Sequence, residues 1–207
     1  NSTYYLKNLS FYGSRSDAFD SDYSLGVINS ISFNNIGGDN LWSNAANWST
    51  TPTNGDDVFV PLLAADVNIQ FDSTVAAPLS LNSLNSFESL SVTANNLTLG
   101  TSTFKAGSSL NISAGLLNLA SASGTSILGD FSLSGGQLTG SGTLDLSSVT
   151  SHSISGTATI DSLRVRMDSF NVSGNLSLTN NTEISMQSAS TLTVDNGATL
   201  DLVSGSI

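Results

Sequence analysis

Short L-x-L and L-x-V units, separated by Gly, Ser, Asn and Thr, recur every six to eight residues from about residue 67 onward. Strict apolar/polar alternation over such lengths is the pattern of a half-buried strand, and the spacing leaves no room for helices between units. The units also repeat at a longer period. One series reads Phe71, Val92, Ile112, Leu133, Ile154, Val172 and Val194, with steps of 21, 20, 21, 21, 18 and 22. A second reads Leu79, Leu97, Leu117, Leu138, Ala158, Leu176 and Leu200, and a third reads Phe104, Ile127, Leu146, Val165 and Met186. Three interleaved columns of this kind describe a coil with three strands per turn. The expected fold is therefore all-β: a right-handed parallel β-helix (β-solenoid) with about three strands and 20–21 residues per turn. Seven turns stacked at the strand spacing of about 4.8 Å would form a rod of roughly 34 Å.

The competing architecture, a β-sandwich of short strands, would place hairpin dipeptides between its strands. The chain offers only Asn54-Gly55 and Asn196-Gly197, too few for a meander. The period is not detectable before about residue 60, where all four Tyr and both Trp lie. The expected organisation is an N-terminal β or capping segment over 1–60, with an aromatic cluster, and a coil of about seven turns over 61–207. Asn1 is not a translation start, and Thr199–Ile207 stops in mid-pattern, so more coil, a cap or another subunit is expected beyond it.

Composition follows from the coil. The chain's 40 Ser, 20 Thr and 21 Asn supply short neutral groups for its surface, so only 10% of the 207 residues are charged, yet the net charge is −11. Five basic residues against sixteen acidic ones disfavour nucleic acid, whose affinity rests on Lys and Arg neutralising phosphates. The longest apolar run, Phe59–Ala65, is far too short to span a bilayer and contains Pro61, so no membrane span is expected. Without Cys there is no disulfide or thiolate metal site.

The segment Gly37-Gly-Asp-Asn-Leu-Trp42-Ser-Asn-Ala-Ala-Asn-Trp48, continuing through Pro52-Thr-Asn-Gly55-Asp-Asp57-Val-Phe-Val60, resembles the opening motif of many bacterial secreted surface proteins. Gly135-Gly-Gln-Leu-Thr-Gly-Ser-Gly-Thr-Leu-Asp-Leu146 likewise resembles the glycine-punctuated repeats of autotransporter passengers and filamentous-haemagglutinin-like adhesins. Pro52 follows Trp48 by four residues, a shorter connection than many of those proteins have. The resemblance implies an extracellular, cell-surface adhesive or structural role and supplies no catalytic residue.

Chemistry-bearing residues are few. His152, the only His, aligns in the first wall with Leu90, Leu110, Phe131, Phe170 and Leu192, the place of a core-edge residue. A glycosidase needs two carboxyls a few ångströms apart. Asp56 and Asp57 are adjacent but belong to the opening motif, where a turn-capping role suffices; Asp130, Asp145, Asp161 and Asp168 fall in different columns or corners. Arg164 and Arg166 would face outward on one strand, with Asp145 one turn earlier in the register of Arg164, which reads as a stacked ion pair. Asp17, Asp20 and Asp22 read as an acidic solvated loop, with calcium ligation as the alternative. If a glycan binds, Trp42 and Trp48 are the ring candidates, beside their role in packing the cap. The outward column Ser91, Asn111, Ser132, Ser153, Asn171 and Thr193 makes a flat, uncharged wall.

These features lead to a non-enzymatic extracellular structural or adhesive β-solenoid, part of a larger surface adhesin, fibre or sheath protein. Its partners would be copies of itself or neighbouring modules of the same polypeptide, and no cofactor is required. The alternative is a polysaccharide-binding or polysaccharide-degrading module.

Overall fold

A computed structural model describes residues 30–207 except 77, 106, 121–123, 147–151, 188–189 and 206. The described strands join into a single parallel sheet wound on itself, and the one helical element among them is a 3-10 turn at Ala45–Asn47. The sheet has three walls. The first contains Asn68–Phe71, Ser89–Val92, Ser109–Ile112, the opening halves of Asp130–Gly140 and His152–Asp161, then Phe170–Val172 and Leu192–Val194. The second includes Leu116–Leu119, Asn175–Thr179 and Thr199–Leu202; the third includes Asp57–Val60, Thr125–Ile127, Thr143–Leu146, Arg164–Met167 and Glu183–Met186. Leu79–Ser86 and Asn96–Phe104 each run as one strand from the second wall into the third, and their mutual register is kept across the corner at Asn82 and Gly100.

Register on the first wall stacks Phe71, Val92, Ile112, Leu133, Ile154, Val172 and Val194 directly over one another. All but Val194, in the last rung, are buried. Seven rungs bound about six full turns, one fewer than the sequence suggested, and give an axial length of about 29 Å at the strand spacing. The ladder also starts before position 61, because Asp57–Val60 already pairs with Ser83–Ser86 and carries Ile31–Ser32 above it.

The other two columns differ from expectation by two residues. Leu138 stacks on Ile160, whereas Ala158 stacks on Gly136. Leu146 stacks on Met167, whereas Val165 stacks on Leu144. A slip of two leaves the same face inward, so apolar alternation does not report it. On the second wall a bulge accounts for one of the two residues. The offset between partners rises by one between Leu133 and Gly135, which absorbs an extra residue near Gly156. Gly156 has φ +71°, and a Cβ there would stand 2.0 Å from the Ser134 carbonyl oxygen. Only a glycine satisfies both conditions.

The top of the coil is closed on all three walls. Trp42 N–H donates to the Gln70 carbonyl (2.9 Å) and Gln70 N–H to that of Asn40 (2.8 Å), which covers the first wall. Phe33 N–H donates to Phe59 on the third, and Gly55 N–H to Ser80 on the second. An otherwise open row of donors and acceptors is thereby paired. Beneath this lid, Phe33, Trp42, Trp48 and Phe71 pack ring against ring, with centroids 4.6–5.5 Å apart.

One interior polar side chain on the third wall is left unpaired. Thr125, buried between Ser102 and Leu144, has a hydroxyl with no partner among the described residues. Thr125→Val should raise stability by about 1 kcal/mol, since it keeps the shape and removes an unpaired hydroxyl. Gly156→Ala should lower it by more than about 1 kcal/mol. Denaturant melts of the two variants beside the parent check both signs.

Candidate functional site

The third wall carries the side chains with most chemistry. Its strands project two outward columns: Asp57, Ser83, Thr101, then Thr143, Arg164 and Glu183; and Phe59, Asn85, Thr103, Ser126, Asp145, Arg166 and Ser185. Of the basic residues in the described coil, Arg164 and Arg166 lie on this wall and Lys105 at its edge.

Asp145 pairs with Arg166 (Nη1 to Oδ2, 3.3 Å), not with Arg164. Arg164 pairs one turn later with Glu183 (Nε to Oε2, 3.1 Å). The expected Asp145–Arg164 stack fails for the same two-residue slip that misplaced Val165. The paired side chains are 34–59% exposed, so each pair contributes at most about 1 kcal/mol. Beside them runs a groove of about 450 Å³ lined by Thr103, Ser126, Asp145, Arg164 and Arg166. Guanidinium forks beside hydroxyls suit carboxylate, sulfate or sugar hydroxyl groups.

At the upper edge of this wall Phe59 and Phe87 meet edge to face at 6.1 Å, and Lys105 Nζ lies 5.9 Å from the Phe87 ring centroid. Phe59 is only half-buried. Sequence reasoning placed no aromatic on the outside of the coil. The signal was present, because Val58 and Val60 face inward and Phe59 between them must face out.

The other sequence candidates are placed as follows. Trp42 and Trp48 are 2% and 4% exposed, and Trp48 Nε1–H donates to the Trp42 carbonyl (2.7 Å). With both rings inside the lid, neither presents a face for a sugar, so their candidacy as glycan rings is corrected. Asp17, Asp20 and Asp22 lie outside the described residues. Asp56 accepts from Thr53 N–H (2.6 Å), closing the turn before Asp57, which accepts from Asn82 and Ser83 on the next rung. His152 stacks on Phe131, with Nε2 2.8 Å from the Leu146 carbonyl oxygen. That bond makes Nε2 the protonated nitrogen; Nδ1 is buried with no partner among the described residues.

Three structural carboxylates and an amide hold the irregular backbone. Glu88, 3% exposed, accepts from Leu63 N–H on Oε1 and from Val67 N–H on Oε2, both at 2.7 Å. It fixes the corner that follows the apolar run Phe59–Ala65, where Leu62 is fully outside. No periodic signal marks it. Fully buried Asn47 donates to Asp39 and to the Leu41 carbonyl while accepting from Gly37 N–H. The Leu41 amide, then Asn47 and Asn44, hold the Asp39 carboxyl below the usual carboxylate range. Asp161 is also lowered, first by the Thr179 hydroxyl against an opposing desolvation, with Asn180, Ser162 and Thr139 adding to it.

No family model, curated protein or solved structure matches the chain. No helix among the described residues is long and apolar enough to cross a membrane.

Glu88→Ala should cost about 2–3 kcal/mol by leaving two corner amides unpaired, and Glu88→Gln, which keeps one oxygen acceptor, should cost less. Equal losses in chemical denaturation would reject the two-bond clamp. A carboxyl lowered on folding stabilises fully above its unfolded value of about 4, and that contribution fades as pH falls through the folded value. Melting between pH 5 and 2 should therefore be shallower for Asp161→Asn than for the parent.

Proposed function

We propose that the chain is the rod of an extracellular structural or adhesive protein, one segment of a larger surface adhesin, fibre or sheath. The observation that supports this best is the first wall. Its seven-residue inward column is backed by an outward column of Ser91, Asn111, Ser132, Ser153, Asn171 and Thr193 in continuous register. Such a column of small uncharged side chains on a continuous ladder is stiff and flat, suited to holding a surface at a fixed distance rather than to turnover. The resemblance of the Trp42–Trp48 and Gly135–Leu146 segments to secreted repetitive proteins points the same way.

End-to-end association belongs to this reading. In the last described rungs Val194, Leu202 and Val203 are 42%, 47% and 62% exposed, beside strand edges able to pair with another copy. The net charge of −11 opposes that approach, and salt screens it. Sedimentation should show oligomers that grow with protein concentration and with added salt or divalent cation, and Val203→Lys should weaken them. A monomer under every condition, or assembly unchanged in Val203→Lys, would reject the end joint.

One observation favours a second reading, binding of a polysaccharide along the third wall: the groove of Arg164, Arg166, Thr103 and Ser126 shares its outward column with half-buried Phe59, two rungs from Thr103. On a glycan array, uronate-bearing or sulfated chains should then be retained, and Arg166→Ala should weaken retention about tenfold, the effect of losing one charge-assisted contact. Release of reducing ends or unsaturated uronates, abolished by Asp145→Asn, would replace the structural reading with an enzymatic one.

A further inference from the structure

The chain contains the dipeptide Asn-Gly twice, and the fold puts both copies into the same kind of turn. Asp56 N–H donates to the Thr53 carbonyl across Asn54-Gly55, and Ala198 N–H donates to the Asp195 carbonyl (3.0 Å) across Asn196-Gly197. Gly55 has φ +88° and Gly197 φ +86°, the value that the third position of a type II turn requires. Local sequence and local backbone are thus matched.

Their surroundings are not matched. Gly55 N–H donates to the Ser80 carbonyl (2.7 Å), and Asn54 Oδ1 accepts from Ser80 N–H (2.8 Å). The next turn of the coil therefore holds both the amide nitrogen and the carboxamide. Asn196 and Gly197 are exposed, and among the described residues nothing bonds the Gly197 N–H or the Asn196 side chain. The turn that presents them is anchored at both ends, by Asp195 N–H to Val172 and Thr199 N–H to Gly174.

We propose that Asn196 is a site of spontaneous backbone-assisted deamidation, and that Asn54, in the same dipeptide and turn, is protected from it by Ser80. The Gly197 amide gives its proton to hydroxide, and its nitrogen attacks Cγ of Asn196. A five-membered succinimide forms as the Cγ–Nδ2 bond breaks, and Nδ2 leaves as ammonia. One water then opens either succinimide carbonyl, yielding Asp or isoaspartate. The net reaction consumes one water and releases one ammonia, with no change of oxidation state. Gly197 lacks the Cβ that would hinder the approach. At Asn54 the same step must first break two hydrogen bonds and rotate the carboxamide away from Ser80.

The product adds a negative charge next to Asp195, and isoaspartate lengthens the turn between Leu192–Val194 and Thr199–Leu202 by one backbone carbon. Ageing would thus mark one specific turn among the last described rungs.

The test is incubation of the folded chain in warm, mildly alkaline buffer, followed by peptide mapping with fragmentation that separates isoaspartate from aspartate. Asn196 should convert on the order of tenfold or more faster than Asn54, because two hydrogen bonds guard the latter. In strong denaturant the two rates should converge. Gly197→Ala should slow conversion at Asn196 without changing Asn54. Equal rates in the folded chain, a faster Asn54, or a rate difference that persists in denaturant would each overturn the assignment.

Discussion

The parallel ladder between successive turns is the interaction on which everything else depends. Every described rung donates and accepts along the coil axis, so each residue stands about 4.8 Å above its counterpart one turn later. Side-chain polarity must then be uniform down a column, because an inward position meets the same kind of position above and below. Phe71 to Val172 satisfies this; Thr125 between Ser102 and Leu144 does not, and its hydroxyl is left unpaired among the described residues. A coil of this sort tolerates substitution on its outside and penalises it inside twice over, once for each neighbour.

Where the chain bends, the ladder cannot serve every backbone group, and short polar side chains take over. Glu88 serves two amides at one corner, and Asn95 donates to the Asp72 and Val75 carbonyls at another. Thr182, fully buried, donates to Ile160 and Thr179. The abundance of Ser, Thr and Asn therefore has two causes. They cover walls where a longer side chain would find no partner, and they replace peptide groups at corners. Glu88 is the exception in length, because its two oxygens must bridge amides four residues apart.

Legibility in the sequence followed the same division. The first wall could be read residue by residue from Phe71 to Val194, because its steps of 18–22 residues change in the corners and leave the column intact. The second and third walls were read to the correct face but slipped by two, at Ala158 and Val165, because alternation fixes parity and not register. That one slip also exchanged Arg164 for Arg166 as the partner of Asp145. Trp42 and Trp48 were recognisable as a motif, yet their burial depended on Asn47 and Asp39, whose hydrogen bonds span two to ten residues and follow no period. Glu88 was invisible for that reason too. Phe59 was legible and missed, its outward direction implied by Val58 and Val60.

Charge gives the rod a side. The described coil places Arg164, Arg166 and Lys105 on the third wall or its edge, whereas Asp72, Asp130, Asp161, Asp168, Asp195 and Asp201 belong to the other walls and corners. On the third wall Asp57, Asp145 and Glu183 offset those three cations, so in a chain of net charge −11 this face repels an anionic surface least. Asp145 and Glu183 engage the guanidinium groups without burying them, so the forks stay available to exchange partners. An anionic ligand or a second rod approaching sideways would find its least repulsive path along the wall that also holds the groove and the half-buried ring of Phe59. Orientation around the axis is therefore fixed by a few charges, although the fold itself is nearly the same on all three sides.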